Sequence, residues 1–353
     1  MTRNMRLLAS ASVLAATAFA ASPAFAAGTT AGTTVTNSVT LDYKVAGIDQ
    51  AQVSASDSFT VDRKVNLVVS ESGGTATSVT PGQTAAVTIF SVTNSSNAPL
   101  DFALAASQLT GGTAPHTGTD SFNVTNAKIY ADTNANGGYD PGTDQETAYL
   151  DQVAADTSRT VFIVSDIPLG RANGDVAVVR LTATAAEATS SGTLGATVTQ
   201  TTGANTSGVD TVFADASTGG NVARDGIHFA DDDYFIKAAS ITAIKSSRVI
   251  SDPFNGTTNP KMIPGAVVEY CIAVTNNGTT SATATGVNLS DEVPAQTTYD
   301  PAFGIKLNGT VTGSVCNADG ASGGSYANGI VSGSVNDLIG GATATLVFRV
   351  SVN

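Results

Sequence analysis

One stretch of this chain has the residue types and the spacing to hold a cation. Asp132, Asn134 and Asn136 place side-chain oxygens at positions 1, 3 and 5 of a loop. Gly137 at position 6 permits the sharp turn that brings a following backbone carbonyl round to the same centre. Asp140 stands at position 9, Asp144 follows, and the Gly138 carbonyl can add a further oxygen. Oxygen-only ligation of this kind favours Ca²⁺ over Zn²⁺, which prefers Cys and His. Position 12, where an EF-hand carries a bidentate glutamate, is Thr143. The loop is therefore not an EF-hand, and the expected affinity is weak, roughly 10⁻⁴–10⁻³ M. Without an ion the same residues read as a polar hairpin loop of Asx turns. A second acidic run, Asp231 to Asp233, reads as a solvated linker edge rather than a ligand set.

The other chemistry-bearing residues are few. Cys271 and Cys316 are the two cysteines. In an exported chain their default state is a disulfide, closing a loop of roughly 45 residues. His116 and His228 sit in loop-like context with no nucleophile motif such as Gly-x-Ser-x-Gly, and read as surface residues. Glycine pairs such as Gly111-Gly112 lack the lysine of a phosphate loop and read as turns. The chain has no Trp, whereas sugar clefts usually rely on aromatic platforms. No constellation supports an enzyme, so the chain reads as non-enzymatic.

The compartment follows from the first residues. Arg3 and Arg6 precede an apolar run from Leu7 to Ala21, and Ala24-Phe25-Ala26 is a small-x-small cleavage site. Residues 1–26 read as a signal peptide, which makes the protein exported: extracellular, cell-surface or periplasmic. No later apolar run is long enough to cross a membrane, so the mature chain is expected to have no transmembrane segment. The net charge of −13 disfavours a nucleic-acid partner.

The elements that must carry these residues are strands. Val35, Val39, Leu41, Tyr43 and Val45 share one face of an extended segment. Val268, Tyr270, Ile272 and Val274 repeat the alternation, as do Leu346, Phe348, Val350 and Val352. Asn-Gly pairs beginning at 136, 173, 255, 277, 308 and 328 are hairpin signals. The fold class is all-β, in tandem immunoglobulin-like antiparallel sandwiches. Residues 27–64 form an N-terminal strand segment too small to bury a core, expected to complete the next domain's sheet, with pairing to a neighbouring molecule as the alternative. Residues 65–205 form a sandwich carrying the Ca²⁺ loop, 206–235 a polar linker, and 236–353 a second sandwich. Pro81-Gly82 and Pro264-Gly265 each precede a strand ending in Val-Thr-Asn, at 92–94 and 274–276, which suggests duplication of one unit.

The last block also carries a family pattern. Pro264-Gly265, Tyr270, the turn Val274 to Gly278, then Asp291 and Pro294 resemble the bacterial surface repeat called domain of unknown function 11. The resemblance implies an immunoglobulin-like sandwich in an exported protein and carries no catalytic residues. The 132–144 loop is similar to Ca²⁺ loops in the B-type repeats of surface adhesins. These readings point to a structural or adhesion protein of the cell surface or extracellular space. A periplasmic or secreted binding module and an unrecognised hydrolase are the other classes. Its partner could be a second copy of the chain, a cell-surface protein or a glycan.

Overall fold

The computed structural model describes residues 28–189 and 192–353. The signal peptide assigned to residues 1–26 lies outside the described residues. Every helix or strand in the described residues is a strand, as expected of a chain rich in Thr and Val, which suit a pleated surface.

A hairpin comes first, built from β1 (Thr34–Leu41), β2 (Lys44–Val45), β3 (Ile48–Asp49) and β4 (Val53–Thr60). β1 and β4 pair antiparallel over eight residues, and β2 and β3 carry the ribbon to its tip. There Ala46 and Gly47 both take positive φ, 50° and 82°, the two-residue turn whose twist matches a ribbon. The expectation that 27–64 completes the neighbouring sheet is corrected: among the described residues β1 and β4 pair only with each other. A tight local turn closes this pairing at little loop entropy, and the hairpin is anchored to the sandwich at its base, both before β1 and beyond Thr60. Asn97 ties down the base: its amide donates to the carbonyls of Thr29 (3.0 Å) and Asp62 (2.8 Å).

The middle unit comprises β5 (Arg63–Val65), β6 (Leu67–Glu71), β7 (Thr77–Val79), β8 (Ala86–Asn94), β9 (Leu100–Gln108), β10 (Thr125–Ala131), β11 (Gln145–Glu146), β12 (Tyr149–Val153), β13 (Thr157–Asp166), β14 (Val176–Glu187), β15 (Thr211–Phe213) and β16 (Ile227–Ile236). One sheet runs β11-β10-β13-β8-β6 and the other β12-β9-β14-β16-β7. They enclose a core that includes Leu67, Phe90, Phe102, Leu181 and Tyr234. The assignment of 206–235 to a linker is corrected here. β15 pairs in parallel with β5, and β16 lies between β14 and β7. Tyr234 is fully buried, its hydroxyl donating to the carbonyls of Ala86 and Ile163. The run Asp231 to Asp233 breaks the apolar alternation and hides this strand from a pattern reading.

The last unit comprises β17 (Ile241–Ser251), β18 (Val267–Asn276), β19 (Asn288–Glu292), β20 (Thr297–Tyr299), β21 (Ile305–Leu307), β22 (Val311–Thr312), β23 (Val315–Cys316), β24 (Ala321–Ser322), β25 (Ser325–Ala327), β26 (Ile330–Ser334) and β27 (Thr343–Val352). Its main sheet runs β17-β18-β27-β21-β24, with β20 beside β27, and faces a β19-β26-β25 sheet. Seven of these strands match seven of the middle unit in order and pairing. The order β6-β8-β13-β10-β11 becomes β17-β18-β27-β21-β24, and the pair β9/β12 becomes β19/β26. β14, β16 and β7 extend the middle unit beyond the repeat.

The duplicated residues do duplicate work. Gly82 and Gly265 both hold φ near +80°, where a side chain is strained. Asn94 and Asn276 are both fully buried at a strand end. Asn94 donates to the carbonyls of Ala98 and Val153 and accepts the Ser96 N–H. Asn276 donates to the carbonyls of Ala282 and Leu338 and accepts the Ser240 N–H. Cys271 on β18 is bonded to Cys316 on β23, with Cα atoms 5.8 Å apart. Both pack on Val347, so the bridge pins the β22–β23 hairpin over the sheet's outer face.

Candidate functional site

The loop from β10 to β11 brings the six sequence-identified residues into one turn, closed by its own hydrogen bonds. Asp132 Oδ2 accepts the Gly137 N–H at 2.9 Å. Asp144 takes the N–H groups of Thr133 and Asp140. The amides of Asn134 and Asn136 both donate to Asp140 Oδ2, at 2.8 and 2.6 Å. Asn136 Oδ1 accepts the Gly138 N–H. Asp132 Oδ1 is buried without a hydrogen-bond partner. Two amide nitrogens thus converge on the carboxylate oxygen that would meet a cation. Ca²⁺ ligation would require both amides to turn their oxygens inward, a low-barrier change for exposed side chains.

A second centre joins residues far apart in sequence. Glu71 ends β6, His116 lies in the loop between β9 and β10, and Asp232 and Asp233 lie on β16. Among the described residues, the group of His, Cys, Asp and Glu whose ligand atoms all lie within 4.8 Å of one another is Glu71, His116 and Asp232. His116 Nε2 is 3.6 Å from Glu71 Oε2, and Nδ1 is 3.7 Å from Asp232 Oδ1. Nδ1 also makes a close contact to Asp233 Oδ1. Successive strand residues leave on opposite faces, yet Asp232 curls back to accept the Asp233 N–H at 2.7 Å, so both acids meet at the strand edge. Burial, reinforced by the Glu71 charge, pushes the Asp232 carboxyl up to about 7 against the pull of the Asp233 N–H and His116. Burial opposes protonation of His116, but the contact with Asp233 and the charges of Asp232 and Glu71 outweigh it and raise its pKa.

These placements correct three sequence readings. Asp231 to Asp233 is no solvated edge: Asp231 takes a two-point ion pair from Arg180 (2.6 and 2.8 Å), whose guanidinium covers the Phe229 ring. His228 is no surface residue either. It is buried, Nδ1 accepts the Val69 N–H at 3.1 Å, and Nε2 meets Thr218 Oγ1. Burial lowers its pKa, which keeps the ring neutral. The third is His116, which faces acids instead of water. Glu71 is separated from His116 by 45 residues, and only the fold's register unites them.

The ribbon is the third feature. Register places Val35, Val39, Leu41, Val53, Ala55 and Phe59 on one face, with Asn37 and Asp57. Thr34, Thr36, Ser38, Thr40, Ser54, Ser56, Ser58 and Thr60 make up the other face. All but the base residue Thr60 are exposed, with Val39 at 62% and Phe59 at 64%. β17 is likewise an edge strand, bonded only to β18, with Ile241 and Ile244 exposed.

No family model matches the chain, and no curated protein matches it. Among solved structures it is similar to the C-terminal domain of the Streptococcus agalactiae AgI/II polypeptide BspA, with TM-score 0.35 and 8% identity over 81% of this chain and 91% of that one. It is also similar to the CupB6 tip adhesin of Pseudomonas aeruginosa, with TM-score 0.25 and 11% identity over 82% of this chain and 88% of that one. Among the described residues no helix is long and apolar enough to cross a membrane. The functional reading rests on the chain's own surface.

Proposed function

We propose that this is a non-enzymatic, exported protein of the cell surface or extracellular space that acts structurally or in adhesion, through contacts of the projecting ribbon 34–60. The observation that carries the reading is that ribbon: a largely apolar face of a two-stranded hairpin, interrupted by Asn37 and Asp57, with no strand across it among the described residues. Such a hairpin is marginally stable alone in water, and an exposed apolar patch of this kind marks a contact site. A second copy of the chain is the partner this face fits. Its own twin offers an apolar surface of equal length, and a two-fold axis makes such a contact self-complementary. The ribbon carries Asp42, Lys44, Asp49 and Asp57, a net −2 of the chain's −13, with Asp57 on the apolar face itself, so association of two ribbons should strengthen as salt screens that charge.

The 132–144 loop supports the same setting. Its three carboxylates, Asp132, Asp140 and Asp144, have no Lys or Arg ion pair among the described residues, and Asp132 Oδ1 is an orphaned acceptor. We read it as a weak Ca²⁺ loop, fitted to extracellular millimolar calcium.

The test is made on producing cells. The tagged full chain is expected on the outside, removed by protease added to intact cells, and cells displaying it are expected to associate. Deletion of 34–60 should leave the display and abolish the association. Retention inside the cell, or equal association of cells carrying the deletion, would overturn the reading.

A further inference from the structure

We propose that Glu71, His116 and Asp232, with Asp233 behind the histidine, form a binding site for a divalent transition metal of the zinc class. Three observations carry it, and none is the 132–144 loop.

The first is geometry. Zinc–ligand bonds of about 2.0–2.2 Å in a tetrahedron set ligand atoms roughly 3.3–3.6 Å apart. His116 Nε2 and Glu71 Oε2 stand 3.6 Å apart, Asp232 Oδ1 is 3.7 Å from Nδ1 of the same ring, and one ligand atom from each of the three residues lies within 4.8 Å of the others. Three separate segments supply these atoms, so little needs to move for an ion to draw them in.

The second is the support behind the histidine. Asp233 Oδ1 contacts His116 Nδ1, so Nδ1 donates to Asp233 and Nε2, which faces Glu71, is the nitrogen that would give up its proton to an ion. A carboxylate that fixes the tautomer of a ligating histidine in this way is the usual support of an imidazole bound to zinc. Asp233 is thus a positioning residue, and Glu71, His116 and Asp232 are the ligands.

The third is charge. Asp233 is fully buried and Asp232 is 2% exposed, and no Lys or Arg among the described residues pairs with either acid or with Glu71. Three carboxyl groups face one imidazole in this protected site. Asp233 Oδ2 is buried with no hydrogen-bond partner. Buried charge is retained where it is paired or coordinates a metal. A dication supplies the missing charge. One imidazole and two carboxylates suit Zn²⁺ and its neighbours, whereas Ca²⁺ and Mg²⁺ take oxygen alone. Three protein ligands leave a fourth position for water. The ion would tie the loop between β9 and β10 to the strand edge.

The experiment uses the full mature chain, stripped with chelator and titrated with Zn²⁺, with Ca²⁺ and Mg²⁺ as controls. One Zn²⁺ per chain is expected, with a rise in the middle unit's melting temperature of roughly 5–10 °C at zinc a hundredfold above Kd. His116→Ala should abolish that rise, Asp233→Asn should weaken binding about 10–100-fold, and Asp132→Ala should leave it intact. Should His116→Ala fail to fold, the Co²⁺-loaded parent still decides the matter, since histidine and carboxylate ligation gives visible absorption bands that aqueous Co²⁺ on a stray carboxylate lacks. A zinc-independent melting temperature in the parent, a rise retained in His116→Ala, or a Co²⁺ spectrum indistinguishable from free ion would overturn the proposal. Melting unchanged by zinc together with Asp232→Asn more stable than the parent would mean that a proton, not a metal, neutralises the site.

Discussion

Replacing Asn276 with alanine should unfold the last sandwich far below the first. The side chain is fully buried and makes three hydrogen bonds: to the carbonyls of Ala282 and Leu338, both at 2.8 Å, and from the Ser240 N–H at 2.9 Å. Alanine removes all three; the Ala282 carbonyl and the Ser240 N–H lose their side-chain partner, while the Leu338 carbonyl keeps the Ala284 N–H at 2.9 Å. A net neutral hydrogen bond contributes about 1 kcal/mol, and a buried group left unpaired costs about 1–3 kcal/mol. Water entering the space offsets part of this, so the loss is about 3 kcal/mol, a large share of a stability of about 5–15 kcal/mol. For a unit of this size that is a fall of roughly 10–20 °C. Asn94→Ala should cost the middle unit a similar free energy, a fall of roughly 6–12 °C in that longer unit, because Asn94 has the same burial and the same kind of partners, the carbonyls of Ala98 and Val153 and the Ser96 N–H. Asn276→Asp should be worse than alanine, since it sets a carboxylate oxygen against two carbonyl oxygens. Calorimetry resolves the two units as two transitions, and each variant should move its own. A shift under 3 °C in either alanine variant, or a shift in the wrong transition, would refute the idea that the duplicated asparagine holds each strand end to two loops.

Two further outcomes concern the cross-link and the loop. Reducing the bridge between Cys271 and Cys316, which spans 45 residues, should cost the last unit about 4 kcal/mol on the chain-entropy account, and calorimetry with reductant should show the middle transition unmoved. Millimolar Ca²⁺ should stabilise the middle unit by about 1 kcal/mol at a few times Kd, and Asp132→Ala should erase the difference between calcium and chelator in a thermal melt.

Legibility in the sequence followed how local the determining signal was. Alternation in Val268 to Val274 and Leu346 to Val352 marked β18 and β27 because a sandwich strand buries every second side chain. The Val-Thr-Asn repeat pointed to duplication, and both asparagines prove to be equivalent buried staples. That residues 132–144 gather into one turn was readable because a loop of that length must fold on itself. β16 was not readable, because Asp231 and Asp233 meet Arg180 and His116, partners contributed by other elements, and Asp232 turns back on its own strand's N–H. Glu71 and His116 have no local motif at all, since their meeting depends on the register of two strands and one loop. The ribbon's alternation was plain in Val35 to Val45, but alternation alone does not say which molecule covers the face. The turn at Ala46-Gly47 decided that it pairs with itself.

The central claim is that the ribbon seats a second copy of the chain, and sedimentation velocity of the mature protein across micromolar concentrations tests it most directly. The expected result is a concentration-dependent shift from monomer to larger species. Val39→Asp, which sets a charge in the apolar face where Val39 is 62% exposed, should hold the protein as monomer with both unfolding transitions unchanged. A parent protein that stays monomeric at every concentration, or a Val39→Asp variant that associates as the parent does, would contradict the claim.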